Sequence, residues 1–421
     1  MTEATSATPA PDALAGVLAD APFVRLVATD DGDAVAAAAL LARALRTVGT
    51  PFQVRVSRDP IPDAGDDAVA VTVGADRGPH AIPGTGRPAS TDAFAIARAL
   101  GVDPDPVVAL AGVVAAGSVP GTDGSGDALE AAERADRVRR RPGVALPTVD
   151  LADGLAASTL VRMPYSGDTE AARAALAEIG LPADLDDDAH RRLASLVAVD
   201  VADAEGASAR AASAVERALR PYATAGDAAP FETVGGYADA LDALAREAPG
   251  TGVALALDAE PSDELRTAAL DAWRTHGLAA HRALDAATTG RYDGCLVVRV
   301  DLTGDGSEGG DGSEGGDAAP DAAAVLPTIA RLVRDFRSPE PVSIAVDEAA
   351  GRLAAASTGG GRAADDADAE PIGLGDACRS AAGEVGGDGW GTADRGGIAV
   401  DESEATDGDI TGALAALREA L

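Results

Sequence analysis

The sequence predicts an α/β protein of two domains: an N-terminal domain built on a parallel sheet and a smaller C-terminal α/β domain, with a cleft between them. Three observations lead there. Short Val/Ala-rich runs alternate with Ala/Leu-rich stretches of helical period. Aromatic residues are only 3% of a chain that is 46% hydrophobic, so its cores must be built from Ala, Val and Leu, which suits helices packed on parallel strands. The 421 residues allow two or three domains of ordinary size.

In order along the chain, residues 1–20 read as a polar tail running into a short helix. A β-rich run, Phe23 to Ala28, is broken by Thr29-Asp30-Asp31-Gly32. A helix from Asp33 to Val48 follows, with Leu40, Leu41 and Leu45 on one face and Gly49 as its stop. Phe52–Val56 and Val69–Val73 are the next strands, followed by a loop from Gly74 to Pro88. Helices are expected at Thr91–Leu100 and Asp105–Ala116, then a Gly/Ser loop from Gly117 to Gly126, then mainly helices to about residue 220. A second α/β pattern begins near Val234, with helix Tyr237–Glu247, strand Val253–Leu257, a long helix to Ala287 and strand Cys295–Val300. The hexapeptide Asp-Gly-Ser-Glu-Gly-Gly occurs twice, at Asp305–Gly310 and Asp311–Gly316. It offers nothing to bury, so 303–320 is expected to be a disordered acidic loop. Beyond it come helix Ala322–Phe336, strands Val342–Val346 and Arg352–Ser357, helix Gly373–Val385, a Gly-rich turn and helix Ile410–Leu421. The expected division is a tail (1–20), an N-terminal domain with a helical extension (20–225) and a C-terminal domain (232–421).

The net charge is −35, from 69 acidic and 34 basic residues, and every basic residue is Arg. Carboxylates hold water and cations strongly, whereas a Lys stem exposes apolar area. The pattern is that of a halophilic protein, one that stays soluble in molar salt. At such salt the Debye length is about 3 Å, so the acidity does not exclude a nucleic-acid partner. Cys295 and Cys378 lie far apart with no CxxC pair, which excludes a cysteine zinc site of known spacing and speaks against a disulfide framework. The first twenty residues have no basic n-region, and no apolar run reaches about 18 residues. No signal peptide and no membrane partner are expected, and the expected location is the cytoplasm.

The first candidate site is Asp30-Asp31-Gly32-Asp33. Carboxylates two apart, on a turn leaving a buried strand, can converge on a divalent cation that takes hard oxygen ligands, and two such cations clamp a phosphoryl group. The same residues also suit a helix N-cap. The string VRLVATDDGDAVAAAALLARAL resembles motif I of the DHH phosphoesterases, RecJ-like proteins of archaeal, halophilic type: a strand, His-x-Asp-x-Asp-Gly/Ala, then an Ala-rich helix. Asp31 and Asp33 match the Asp pair, and Thr29 stands at the His. Val234-Gly235-Gly236-Tyr237 to Leu257 is similar to the segment that opens the C-terminal half of archaeal RecJ-like proteins. Gly391-Thr392-Ala393-Asp394-Arg395-Gly396-Gly397 resembles the family's Gly-His-x-x-Ala-Ala-Gly turn, with Thr392 at the His.

The resemblance implies a DHH-like N-terminal domain, Mn²⁺ or Mg²⁺ as cofactor in active members, and single-stranded DNA or RNA as partner. It also implies further ligands that this chain lacks. The Asp ending the third strand falls in Val73-Gly74-Ala75-Asp76, where Asp76 alone could serve. The Asp-His-His signature falls in His80 to Ser90, which holds one His and no Asp. The last Asp falls at Val114-Ala115-Ala116-Gly117. The metal site therefore reads as degenerate, with Asp31, Asp33 and Asp76 as its remaining candidates. Gly391, Thr392, Arg395, Gly396 and Gly397 are the candidate phosphate-binding residues.

Other chemistry has little support. His190, His276 and His281 read as surface or capping residues, and His80 as a loop residue. There is no GxSxG elbow, no P-loop ending and no GxGxxG after a first strand. Arg139-Arg140-Arg141 is the densest basic cluster; it reads as a solvated helix end or a phosphate-backbone contact. Whether the chain is an enzyme is left open. The preferred function is single-strand nucleic-acid binding in replication or repair by a catalytically degenerate member, as the superfamily includes inactive members that are scaffolds in replication complexes. One alternative is an active Mn/Mg-dependent single-strand exonuclease or phosphodiester hydrolase. Another is an assembly scaffold for replication or repair proteins with no phosphate ligand.

Overall fold

The computed structural model describes residues 10–62, 68–182, 185–225, 229–302, 321–358, 373–400 and 409–421. The repeat at 305–316 lies outside them. The chain divides into two compact units, Met1–Leu160 with Arg173–Val197 and Val215–Arg274, and Val161–Ala172 with Ala198–Ala214 and Thr275–Leu421.

The first unit opens with α1 (Pro11–Asp20), β1 (Val24–Ala28), α2 (Gly32–Val48), β2 (Phe52–Val56), β3 (Val69–Val73) and β4 (Ala81–Ile82). The strands pair in parallel in the order β2-β1-β3-β4, which is the parallel sheet the sequence predicts. Ala28 lies in register with both Val56 and Val73. Asp31 caps α2, and Gly49 ends it in a left-handed conformation with its N–H on the Leu45 carbonyl. Helices α3 (Ala89–Ala99), α4 (Pro106–Ala115), α5 (Gly126–Arg134), α6 (Leu151–Ala157), α7 (Thr169–Ile179), α8 (Asp187–Ala202) and α9 (Ala211–Glu216) follow, with β5 (Val138–Arg140) between α5 and α6. Then come β6 (Tyr222–Thr224), α10 (Val234–Glu247), α11 (Pro249–Leu257) and α12 (Asp263–Ala286), which runs from the first unit into the second.

Helix α2 packs on α3, α4, α10 and α11 and is buried around most of its circumference from Gly32 to Ala42. Methyl side chains let that many helices approach one axis, which accounts for its run of alanines. Two expectations are corrected here. Val253–Leu257 belongs to a helix, α11, which starts on Pro249 at its first turn, where proline is favoured. Arg139 and Arg140 lie in a strand, because β5 pairs antiparallel with β6.

The second unit holds β7 (Thr288–Tyr292), β8 (Cys295–Arg299), α13 (Ala322–Leu332) with a π turn at Val333–Arg337, β9 (Val342–Asp347), β10 (Arg352–Ser357), α14 (Leu374–Val385), β11 (Asp388–Gly391), β12 (Arg395–Ala399) and α15 (Asp409–Ala420). The sheet order is β11-β12-β10-β9-β8-β7. Only the β8–β9 pairing is parallel, and α13 makes its crossover. Val297, Ile344, Leu353, Cys378 and Leu414 are core residues. Cys295 and Cys378 are free thiols, both buried, and burial pushes the Cys378 thiol up to about 12.

Candidate functional site

The chain leaves β1 toward β2 on one side and later returns to β3 on the other, so the carboxyl ends of β1 and β3 flank a topological switch point, the place where open α/β sheets bind ligands. The turn Thr29–Asp33 sits there. Asp31 Oδ1 accepts the Ala34 N–H at 2.9 Å as the N-cap of α2, and its other oxygen accepts the Thr29 hydroxyl. Asp33 is buried and reaches across to α3, accepting the Ala89 and Ser90 N–H groups at 2.6 and 2.9 Å. Gly32 N–H donates to Asp242 Oδ1 of α10 at 3.2 Å. Asp242 in turn pairs with Arg246 at 2.7 Å. Burial, with the Asp31 charge beside it, raises the Asp33 carboxyl from 3.8 to about 7 despite those N–H donors.

Three other pieces of chain reach this turn, and they come from the regions where the resemblance implies ligands. The end of β3 brings Gly74, at φ 87°, where a methyl would collide with Thr29 Oγ1 and lie 3.0 Å from Ala34 Cβ. The start of α3 brings the peptide N–H groups of Ala89 and Ser90. The end of α4 brings Ala115, whose Cβ would be 2.9 Å from a methyl on Gly32. Glycine, backbone amide and alanine occupy these places. Asp76 lies two residues beyond Gly74 and is exposed. Among the described residues, no three His, Cys, Asp or Glu side chains are grouped to hold a metal ion. Mg²⁺ and Mn²⁺ are held through several hard oxygens, and the Asp31 and Asp33 carboxylates already serve as helix caps.

The tightness at Gly74 gives a measurable contrast. Gly74→Ala meets both a left-handed φ and the Thr29 hydroxyl, whereas Gly49→Ala meets a φ of 84° with no atom within 4 Å. Gly49→Ala is expected to cost about 1 kcal/mol and Gly74→Ala roughly 3 kcal/mol by denaturant unfolding. Equal losses would mean that the Thr29 contact does not constrain the turn.

The C-terminal candidates form a β-hairpin. Gly391 ends β11, while Arg395, Gly396 and Gly397 begin β12. The Thr392 hydroxyl donates to Asp394 Oδ1 at 2.8 Å, and Thr392 N–H closes the turn on the Arg395 carbonyl at 2.8 Å. The Ala393 and Thr392 carbonyls accept the Leu374 and Gly375 N–H groups of α14 at 3.1 and 2.7 Å. A methyl on Gly396 would lie 2.6 Å from Cys378 Sγ, and one on Gly375 would overlap the Gly391 carbonyl. The glycine frame thus lets α14 lie directly on the hairpin.

The expectation that His276 and His281 are surface or capping residues is corrected: both are buried. His276 Nε2 pairs with Thr328 Oγ1 at 2.8 Å, and His281 Nδ1 accepts from Arg162 at 3.0 Å. Burial and the Arg141 charge hold His190 below its ordinary value, against the pull of Asp186 and Asp187. The sequence reading missed Asp239 and Asp242, two acids of α10. Their signal was present in carboxylates set among the apolar positions of a helix.

CDC45 from Entamoeba histolytica has the same fold over 97% of this chain and 98% of its own, with a TM-score of 0.55 at 9% identity. RecJ from Thermus thermophilus, solved with Mn²⁺, aligns with a TM-score of 0.49 at 15% identity, over 99% of this chain and 55% of its own. The chain therefore spans about half the length of that RecJ. The fold is the one that CDC45 has. A sequence model described as the C-terminal domain of Uncharacterized protein rrnAC1427 matches residues 287–419. The chain is 48% identical over 410 residues to Uncharacterized protein rrnAC1427 of Haloarcula marismortui, covering 96% of each. It belongs to the rrnAC1427 family. Among the described residues no helix is long and apolar enough to cross a membrane.

Proposed function

We propose that the chain binds single-stranded DNA or RNA in replication or repair and does not hydrolyse it through a metal centre. The observation that carries the reading is the substitution of Gly74, the α3 backbone amides and Ala115 for ligands around Asp31 and Asp33. Carboxylates that cap two helices keep the shape of a phosphate-handling turn while losing its chemistry. The hairpin with Thr392 and Arg395 is the phosphate contact the resemblance implies. The net charge of −35 without lysine, together with a relative from Haloarcula marismortui, supports work in molar salt in the cytoplasm.

The test is made on the full chain in high salt, with a labelled single strand and Mn²⁺. The expected result is binding without degradation. Degradation that vanishes in the double variant Asp31→Ala, Asp33→Ala would refute this reading and leave an active exonuclease in its place. Absence of any single-strand affinity would leave the assembly-scaffold reading.

A further inference from the structure

Although the chain carries twice as many acidic as basic residues, residues 137–149 contain no carboxylate, and neither do residues 217–226. Six of the 34 arginines fall in these two stretches: Arg137, Arg139, Arg140, Arg141, Arg217 and Arg220. The fold pairs the two stretches. Arg139 lies opposite Ala223 and Arg140 opposite Tyr222, the Arg141 N–H continues the ladder to the Pro221 carbonyl, and the Arg220 N–H donates to Gly143. The result is one antiparallel ribbon.

Arg137 is engaged by Asp105. Arg139, Arg140 and Arg220 form no ion pair among the described residues. Arg140, Arg217 and Arg220 line one pocket together with Ser118, Tyr222 and Val114 of α4, and Glu216 is the one acid on its wall. The Arg140 guanidinium stands 5.4 Å over the Tyr222 ring, which fixes its direction. Arg220 has a φ of 53°, a region that non-glycine residues seldom occupy and that often marks functional positions. The pocket holds about 30 Å³. On a scale where one water takes about 10–15 Å³, that is room for a phosphate oxygen or two. Guanidinium forks match such oxygens two at a time.

We infer that this arginine ribbon is a phosphate contact for the single-stranded nucleic acid, read through its backbone and not its bases. The inference rests on the proposed single-strand binding and locates it on Arg140, Arg217 and Arg220, apart from the C-terminal hairpin. In molar salt, long-range attraction is screened within about 3 Å, so affinity must come from direct contacts such as these.

Fluorescence anisotropy of labelled oligo-deoxythymidine tests it, across a salt range in which the circular dichroism of every variant is unchanged. Each phosphate neutralised on a single strand adds about 0.7 to the slope of log affinity against log salt. The triple variant Arg140→Gln, Arg217→Gln, Arg220→Gln should flatten that slope by about 2 and weaken binding at least tenfold. If it fails to fold, Arg140→Gln and Arg220→Gln alone should each flatten the slope by about 0.7. A control triple at Arg98, Arg134 and Arg192, exposed arginines already paired with acids, makes the same change in net charge and should leave the slope as it was. Binding that keeps its slope in the ribbon variant, or flattens equally in the control, overturns the ribbon while the binding function stands. No binding by the unchanged chain overturns both.

Discussion

Between about pH 4 and pH 7, Asp33 alone is expected to remove roughly 4 kcal/mol of folding stability. In the unfolded chain the carboxyl titrates at 3.8, and in the folded chain at about 7. Below 3.8 it is protonated in both states, and its contribution to the folded state is fully present. As the pH rises, the unfolded chain releases the proton while the folded chain retains it, so stability falls until the folded group ionises near 7. Above that the loss is complete and constant. Burial is the main cause, and the Asp31 charge adds to it. The many other carboxylates have their own pH dependence, so the quantity to measure is a difference. Unfolding free energies of the natural chain and of Asp33→Asn are compared at fixed salt across this range. Asparagine does not titrate, and its poorer fit to the two α3 amides is a constant offset. The difference should shift against the natural chain by about 4 kcal/mol as pH rises and flatten above about pH 7.5. A flat difference, or one that moves the other way, would sink the assignment.

The first half of this site was legible in the sequence. Phe23–Ala28, the Asp turn and the Ala-rich helix are local features, and strand, N-cap and C′ glycine all fell where the pattern put them. What the carboxylates contact was not legible, because the Asp33 partners lie 56 and 57 positions away and are backbone amides, which leave no mark in side-chain chemistry. Val253–Leu257 was misread because five apolar residues suit a strand or a buried helix equally; the deciding fact is its packing on α2. Strands β7, β11 and β12 escaped notice since Thr288–Tyr292 and the glycines of 388–397 lack the β-branched alternation that marks a strand. His276 and His281 lie five apart on α12, which gives no common face. Each is nevertheless buried, by a different neighbour.

Asp239→Ala should be the most damaging single change outside the motif. Asp239 sits in α10 and is 2% exposed. It accepts the Ser158 hydroxyl at 2.9 Å, the Thr159 hydroxyl at 2.6 Å, the Thr159 N–H at 3.1 Å and the Trp273 indole N–H at 2.9 Å. Alanine would strand these donors in a dry interior, at about 1–3 kcal/mol for each that water cannot reach. The expected loss is roughly 4 kcal/mol, a large share of the stability of an ordinary domain. Asp239→Asn keeps one acceptor and should lose about half as much. Trp273→Phe removes a single donor and should lose about 1 kcal/mol. Denaturant titration at constant salt measures all three, and a loss below about 1 kcal/mol for Asp239→Ala would show that the cluster does not hold α10 in place. Because α10 also carries Asp242, the acceptor of the Gly32 N–H, loosening it should loosen the Asp31–Asp33 turn as well.

The Gly32–Asp242 bond joins residues 210 positions apart. On a ribosome adding about 5–20 residues per second, the turn waits roughly 10–40 s for its partner. Through that interval the sheet strands and α2 have already been made, while the α10 and α11 surfaces that cover α2 have not. The first motif synthesised is thus among the last to be completed, and until then its alanine- and leucine-lined flank is open to chaperones and to other nascent chains.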